Sequence, residues 1–408
     1  NYKINIIDTP GLDDFIGEII SSIRVADTIV TVLNAQHGVE VGAEIIWNYI
    51  DKYHKPTLFV INQIDHINAK FDESFKSIKN LVGNNAVQIQ YPLAIDGSQC
   101  IVDVLKMKMY KFSPEGGKPE KLEIPDDQKE WAKELNNELI EKAAENDETL
   151  MELFFEKGTL SEDEMRQGIK AGMLNHELFP VFCVSALNDM GTGRLMGFID
   201  NVAPAAADLK PEQSVDGKEV KVLKDSPTAL FVFKTVYQPN LGQITFFKVM
   251  SGEVKLNDKL VNFRNDETEV INQLFIMDGK ERQPVNRLTV GDIGATLKLK
   301  YTETNDTLAS TKLPLGIKPI KFPQARIKKA VFAVNTKDEE KLSEALKKIH
   351  SQDPTVNISF SSEAKQLIMA CQGELHLATI DWTLKNMYGV EARFEKPKIA
   401  FRETIQRS

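Results

Sequence analysis

The first 83 residues alternate short apolar runs with amphipathic segments. The pattern predicts strands over Tyr2–Asp8, 27–33 and 57–61, and helices over 41–53 and 71–83. Continuous Val, Ile and Leu runs that are each followed by a helix are typical of buried parallel strands in an α/β sheet. Because ligands bind at the carboxyl ends of such strands, the residues that follow these runs are candidate site residues.

The pattern changes between residues 84 and 170 and returns with a third apolar run, FPVFCV, at 179–184. Two strand-like runs come first, then a Gly- and Pro-containing loop, and from Asp126 an acidic helical stretch. We expect this region to be an α+β insertion whose charged helices form a solvated face. Residues 202–213 contain Pro and Ala without periodicity, which predicts a linker.

The remaining chain has two further periodicities. Short β-runs separated by Gly turns over 220–312 predict a small barrel. The order strand, helix, strand, strand, helix, strand over 326–395 predicts a ferredoxin-like arrangement. The expected fold class is therefore multidomain: a parallel α/β sheet with an α+β insertion, then a β-barrel, then a ferredoxin-like α+β domain.

Composition narrows the function classes. A net charge of −9 over 408 residues argues against a generic nucleic-acid coat. No apolar run approaches the roughly 20 residues that span a membrane, so we expect no membrane partner. The three cysteines, Cys100, Cys183 and Cys371, are expected to be reduced thiols of a cytoplasmic protein. The six histidines show no metal-ligand spacing along the sequence.

Three polar motifs follow predicted strands. Asp8–Gly11 (DTPG) follows the first strand and predicts a tight Pro-Gly turn, Asn62–Asp65 (NQID) follows TLFVI, and Ser185–Leu187 (SAL) follows FPVFCV. In this order they resemble the third, fourth and fifth motifs of a GTPase. A phosphate-binding loop of the form GxxxxGK[ST] does not occur in the 408 residues. We expect that loop and the first switch segment to lie upstream.

The chain resembles bacterial elongation factor G, and the resemblance runs in order over nearly its whole length. The segments DTPG, NAQHGVEVGAE, NQID and VSAL are similar to its G domain, and DETLMELFFEKGTLSEDEM is similar to its insertion. GQITFFKVMSGEVK and VGDIGATLKL resemble its second domain, EALKKIHSQDPTV, QGELHL and YGVEA its third, and PKIAFRETI the first strand of its fourth.

This resemblance implies a P-loop GTPase-like first domain and the following domain boundaries. They are a partial G domain at 1–83 and 171–204, an insertion at 84–170, a linker at 205–219, a barrel at 220–316, a ferredoxin-like domain at 325–396 and the start of a fourth domain at 397–408.

It also implies guanine-nucleotide chemistry. Asp65 would accept two hydrogen bonds from guanine, Asn62 would brace the base-binding loop, and Asp8 would hold Mg²⁺ through water. The implied GTP-binding residues are Asp8, Thr9, Pro10, Gly11, Asn62, Gln63, Asp65, Ser185, Ala186 and Leu187. The implied partners are GTP or GDP with Mg²⁺ and the ribosome, through rRNA and ribosomal proteins, and the protein would be a monomer.

Two positions depart from the family pattern. The family has DTPGH, but in this chain position 12 is Leu12. The histidine of the family orients the attacking water, and the leucine side chain has no hydrogen-bond donor or acceptor with which to do so. The family also has NKxD, but the lysine position is Gln63. The leading hypothesis is therefore a ribosomal translocation factor with weakened GTP hydrolysis. The alternatives are a ribosomal protection factor of the same fold and a nucleotide-free ribosome-binding protein with a degenerate G domain.

Overall fold

The structure is a computed structural model that describes residues 3–95, 97–113, 116–220, 222–238, 241–312 and 315–398. The chain divides into two compact units. The first unit comprises Asn1–Ile4 and Ala26–Leu209, and the second comprises Asn5–Val25 and Lys210–Ser408. Each unit is described by itself below.

A four-stranded parallel sheet forms the centre of the first unit. Its strands, in spatial order, are Ile29–Asn34, Thr57–Asn62, Phe179–Val184 and Ala86–Gln88. The two middle strands are apolar and buried along nearly their whole length, as expected for strands covered on both faces. Three of the strands predicted from the apolar runs are therefore confirmed.

Helices and a second sheet surround this core. The helices of the first unit are Val41–Lys52, Phe71–Val82, Asp126–Ala144, Glu148–Lys157, Glu162–Asn175 and Thr192–Asn201. The insertion contains an antiparallel sheet with the strands Gln90–Ile95, Ser98–Asp103, Lys108–Lys111 and Glu120–Leu122. The last of these strands lies in the segment predicted to be a loop. The acidic stretch is helical, as predicted.

The predicted first strand, Tyr2–Asp8, is wrong for the described residues 3–8. They have no regular secondary structure, and Ile4 and Ile6 are exposed. A strand forms only where a neighbouring strand satisfies its N–H and C=O groups, and no ladder of the described residues includes this segment. The predicted Pro-Gly turn is also wrong, because the chain first bends at Leu12, where a 3₁₀ helix of residues Asp13–Phe15 begins.

The second unit contains a large antiparallel region. Helix Ile16–Val25 precedes it in the chain. Eight strands form one sheet, in the spatial order Thr268–Val270, Lys259–Asn262, Thr307–Ala309, Ala229–Gln238, Gly242–Ser251, Ile293–Leu297, Phe275–Asp278 and Glu281–Pro284. Glu253–Lys255 and Arg287–Thr289 pair separately. The β region predicted as a small barrel after the parallel sheet is thus present, as a mostly antiparallel sheet.

The ferredoxin-like order is confirmed in the rest of this unit. The strands Ile327–Ala333, Asn357–Ser361, Gln366–Cys371 and Ala392–Glu395 form an antiparallel sheet in which the first and third strands are central. The helices are Glu339–Gln352 and Glu374–Asn386. PKIAFRETI begins at the last two described residues, 397 and 398, and the rest of it lies outside the described residues.

The predicted linker is mostly irregular. It contains the 3₁₀ helix Ala206–Asp208 and a short strand pair, Glu212–Gln213 with Glu219–Val220. In the described part of the chain, no helix combines the length and the apolar character needed to cross a bilayer. The three cysteines are buried free thiols, which agrees with the expected reduced state.

A buried histidine is fixed within the ferredoxin-like part by two hydrogen bonds. The Gln372 backbone N–H donates to His376 Nδ1 at 3.3 Å, so Nε2 carries the proton and donates to Asp353 Oδ2 at 3.0 Å. The other carboxylate oxygen of Asp353 accepts from the backbone and hydroxyl of Thr355. Burial raises the pKa of Asp353, but the hydrogen bonds from His376 and Thr355 lower it by more, so the pKa lies below its ordinary value.

We predict that Asp353→Asn destabilises the second unit by about 1–2 kcal/mol, because the new amide group faces the N–H of His376 as a second donor. The folded pKa of Asp353 lies below its unfolded value, so the carboxylate contributes stability above pH ~4 that is lost as pH falls through the folded pKa. Chemical denaturation at pH 7 and at pH 3 measures both effects.

The matched control is Asp381→Asn, which makes the same change at an exposed carboxylate of the same unit. Equal stability of the Asp353 and Asp381 variants at pH 7 would contradict the assigned hydrogen bonds.

Candidate functional site

The side chain of Asn62 joins the carboxyl ends of two neighbouring strands of the first unit. Its Oδ1 accepts from the backbone N–H of Gln63 at 2.8 Å and from that of Ala186 at 3.0 Å. The backbone continues this connection, because Ala35 N–H donates to Asn62 O at 2.9 Å. The NQID and SAL motifs, 123 residues apart in sequence when counted from Asn62 to Ser185, therefore form one loop cluster.

Asp65 lies in the same cluster and presents a carboxylate at the edge of the sheet. Its Oδ2 accepts from Asn188 Nδ2 at 3.1 Å. In the described part of the chain no other side chain or backbone group makes a hydrogen bond to this carboxylate. One oxygen is thus oriented by Asn188 while acceptor capacity remains for a ligand with paired N–H donors.

The SAL motif begins a closed loop. Ser185 and Met190 exchange two backbone hydrogen bonds, of 3.0 and 2.9 Å, which fold Ser185–Met190 back on itself. Ser185 is fully buried, whereas Leu187 is 90% exposed. Gly191 closes the loop with φ at +77°, and a Cβ there would lie 2.7 Å from the Cys183 carbonyl oxygen, so only glycine fits.

Gln63 occupies the position where the family pattern has lysine, and it makes a different set of contacts. Its Oε1 accepts from Asn34 Nδ2 and from Gln36 Nε2, both at 3.1 Å. Its backbone has a φ of 65°, a left-handed conformation that is unfavourable for a residue with a side chain. The side chain of Gln63 is therefore tied to the end of the first strand of the sheet.

The DTPG motif belongs to the second unit. Asp8 and Gly11 are exposed on a segment without regular secondary structure, and Leu12 is 54% exposed at the start of the 3₁₀ helix. Among the described residues, none forms a hydrogen bond or ion pair with the Asp8 carboxylate. The segment is attached by Asp14, whose carboxylate accepts from the backbone N–H groups of Leu375 and His376 at 2.8 and 3.2 Å.

Thr9 and Pro10 lie on the same irregular segment of the second unit. The structure thus brings Asn62, Gln63, Asp65, Ser185 and Ala186 together in the first unit. Residues Asp8–Leu12 belong to the second unit.

Sequence reasoning missed three residues that support the cluster, namely Asn34, Gln36 and Asn188. Asn34 directly follows the predicted strand 27–33, so its position was an available signal. Asn188 lies four residues after the strand Phe179–Val184, and its contact with Asp65 depends on how the loop closes. Gln36 carries no such signal, because its contact with Gln63 depends on the turn after the first strand.

Comparison with known families matches three consecutive parts of the chain. The elongation factor Tu GTP binding domain matches residues 1–205. Elongation factor G domain 2 matches residues 227–311, and elongation factor G domain III matches residues 322–396.

Among solved structures, the chain is similar to a crystal structure of a protein from Thermus thermophilus, with a TM-score of 0.83 and 24% sequence identity. The match covers 96% of this chain and 57% of that chain. The protein described here therefore spans little more than half the length of that relative, with which it shares the fold.

We predict that Asn62→Ala accelerates amide hydrogen exchange at Ala186 roughly fivefold to tenfold, because a hydrogen bond of this kind contributes about 1 kcal/mol. Asn62→Asp keeps an oxygen acceptor at the same place and should retain the protection. The measurement is hydrogen exchange resolved to the 185–190 loop.

Asn188→Ala is the control, since it removes the contact to Asp65 and leaves the bond from Ala186 to Asn62 in place. Similar exchange at Ala186 in the alanine and aspartate variants of Asn62 would show that this side chain does not hold the loop.

Proposed function

Because the chain belongs to the family of the elongation factor Tu GTP binding domain and is elongation factor G-like, we propose that it is a guanine-nucleotide-dependent ribosomal translocation factor. The observation that carries the nucleotide part is the loop cluster, in which Asn62 holds the SAL loop beside the Asp65 carboxylate. We also propose that the domains have the boundaries expected from the sequence.

The residues of the first unit fit a guanine base. Asp65 would accept from the ring N–H and the 2-amino group, a donor pair that adenine lacks, so this carboxylate selects the base. The backbone of Ser185 and Ala186 would lie beside the guanine oxygen, which would share the Ala186 N–H with Asn62 Oδ1. Gln63 engages Asn34 and Gln36, so it would contribute less to the base and sugar than a lysine does.

The DTPG motif would serve the phosphates. GTP with Mg²⁺ supplies the cleavable phosphoanhydride bond and the charge that switches protein conformation. Asp8 would hold the ion through water, and the Gly11 N–H would meet the γ-phosphate. Leu12 can neither orient nor deprotonate a water molecule, so hydrolysis would be slow while ground-state binding persists. The partner proposed for both states is the ribosome, and the proposed location is the cytoplasm.

One alternative has a specific observation in its favour. Leu12 and Gln63 both replace functional side chains of the family pattern, as they would in a ribosome-binding protein that no longer uses a nucleotide. Guanine-nucleotide binding by the full-length protein separates this alternative from the leading proposal.

We predict that Asp65→Asn in the full-length protein weakens GTP binding about 5- to 150-fold, the effect of about 1–3 kcal/mol for a mismatched buried hydrogen bond. The new amide donor opposes the 2-amino group of guanine and suits the carbonyl of xanthine, so XTP binding should improve. Displacement of fluorescent GTP by unlabelled GTP or by XTP measures the relative affinity for the two nucleotides.

Asp200→Asn, at an exposed carboxylate of the same unit, should leave both affinities unchanged. An Asp65 variant with the nucleotide preference of the parent would place this carboxylate outside the base pocket. A parent that binds no guanine nucleotide would favour the nucleotide-free alternative.

We predict that Leu12→His accelerates single-turnover GTP hydrolysis on the ribosome by at least about tenfold, a change in the activation free energy of roughly 1.4 kcal/mol. A side chain that orients or deprotonates the attacking water typically contributes ~10²–10⁴-fold. The affinity for GTP should change little, because this side chain would face the water and not the base.

Leu223→His is the matched control, since Leu223 is 57% exposed and Leu12 is 54% exposed. The proposal for Leu12 would be abandoned if the parent hydrolysed GTP as fast as the histidine variant.

A further inference from the structure

Three side chains with metal-binding atoms meet on the first unit at the amino-terminal edge of its parallel sheet. Asp51 and His54 precede the strand Thr57–Asn62, and His176 precedes the strand Phe179–Val184. One ligand atom from each lies within 4.8 Å of the other two. Since the strands are parallel, this cluster and the candidate nucleotide site lie at opposite edges of the sheet.

The backbone positions these three residues at the ends of two helices. Asp51 is in the last turn of helix Val41–Lys52, and His54 follows the helix with a φ of 46°. His176 caps helix Glu162–Asn175 with a φ of 63°, and its N–H donates to carbonyl groups of the last turn. The carboxyl end of a helix carries a partial negative charge, so two helix ends favour a cation here.

Hydrogen bonding determines which nitrogen of His176 is available. Its Nδ1 lies 3.2 Å from the backbone carbonyl oxygen of Lys55, and a carbonyl only accepts, so Nδ1 carries a proton. Its Nε2 lies 3.2 Å from Asp51 Oδ1. Nε2 and Asp51 Oδ1 are therefore placed to bind a cation that lies between them. A backbone carbonyl that fixes the tautomer in this way is typical of histidine ligands to metals.

Two aromatic side chains hold the ring of His176 in place. The ring stacks on Trp47 with the ring centroids 5.5 Å apart, and Phe179 packs edge-on at 4.9 Å.

We propose that Asp51, His54 and His176 bind one Zn²⁺ ion, each through a single atom. Two imidazoles and one carboxylate suit Zn²⁺ better than Mg²⁺ or Ca²⁺, which prefer oxygen ligands. Ligands about 2.0–2.1 Å from a tetrahedral zinc ion lie closer together than the observed spread, and rotation of the exposed Asp51 and His54 side chains closes the difference. The exposed side of the cluster leaves the fourth position to water.

Zinc titration of the chelator-treated chain, followed by calorimetry at pH 7.5, tests this proposal. We expect one saturable site and at least a tenfold weaker affinity in Asp51→Asn, His54→Asn and His176→Asn. Asparagine suits the two histidine positions because it tolerates a left-handed backbone. His37→Asn, at an exposed histidine elsewhere in the same unit, is the matched control and should bind zinc as the parent does.

The fluorescence of Trp47 gives a second readout, which reports metal binding at His176. Co²⁺ bound at His176 should quench the fluorescence of the stacked Trp47, and Zn²⁺ should restore it by displacing Co²⁺. In Trp47→Phe the quenching should disappear, because Trp131 and Trp382 are the remaining tryptophans of the sequence. Circular dichroism in the presence of a chelator checks that each variant is folded.

The proposal is overturned if the folded parent takes up no zinc, or if His54→Asn and Asp51→Asn bind it unchanged. Either result would identify the cluster as a hydrogen-bonded histidine–carboxylate pair. His54 is exposed, so its variant keeps the test decisive even if His176→Asn fails to fold.

Discussion

The parallel register of the central sheet is the constraint on which the candidate site depends. Asn34 pairs with Asn62, and Asn62 pairs with Val184, so three strands end at the same level. The loops that follow them begin side by side, which brings Ala186 N–H within reach of the Asn62 side chain. A shift of one residue in either pairing would turn the Asn62 side chain to the other face of the sheet and separate the two motifs.

The same register gives the two edges of the sheet opposite electrostatic character. Helices Val41–Lys52 and Phe71–Val82 each follow the carboxyl end of a strand, and helices Val41–Lys52 and Glu162–Asn175 end at Asp51 and His176. Helix amino ends favour anions and helix carboxyl ends favour cations. A nucleotide at one edge and a metal ion at the other are therefore consistent with a single arrangement of strands and helices.

The sequence predicted those features that local periodicity encodes. Strands such as Thr57–Asn62 and Phe179–Val184 are continuous apolar runs, and the ferredoxin-like order follows from alternating strand and helix periods. Tyr2–Asp8 was misassigned because an apolar pattern alone does not provide a pairing partner. The contact between Asn188 and Asp65 depends on how a six-residue loop closes, and residues Asp51 and His176 are 125 positions apart. No spacing rule along the chain detects such pairs.

In the segment that carries Leu12, the residue that anchors the segment differs from the residue that would face the attacking water. Asp14 binds the amino end of helix Glu374–Asn386 through two backbone N–H groups, where the negative carboxylate also meets the positive end of the helix dipole. A Cβ on Gly373 would lie 2.1 Å from the Asp14 carboxylate, so glycine is required for this approach. Leu12 takes no part in the attachment and is exposed. A change at position 12 therefore alters the group that would face the attacking water while the segment stays anchored through Asp14.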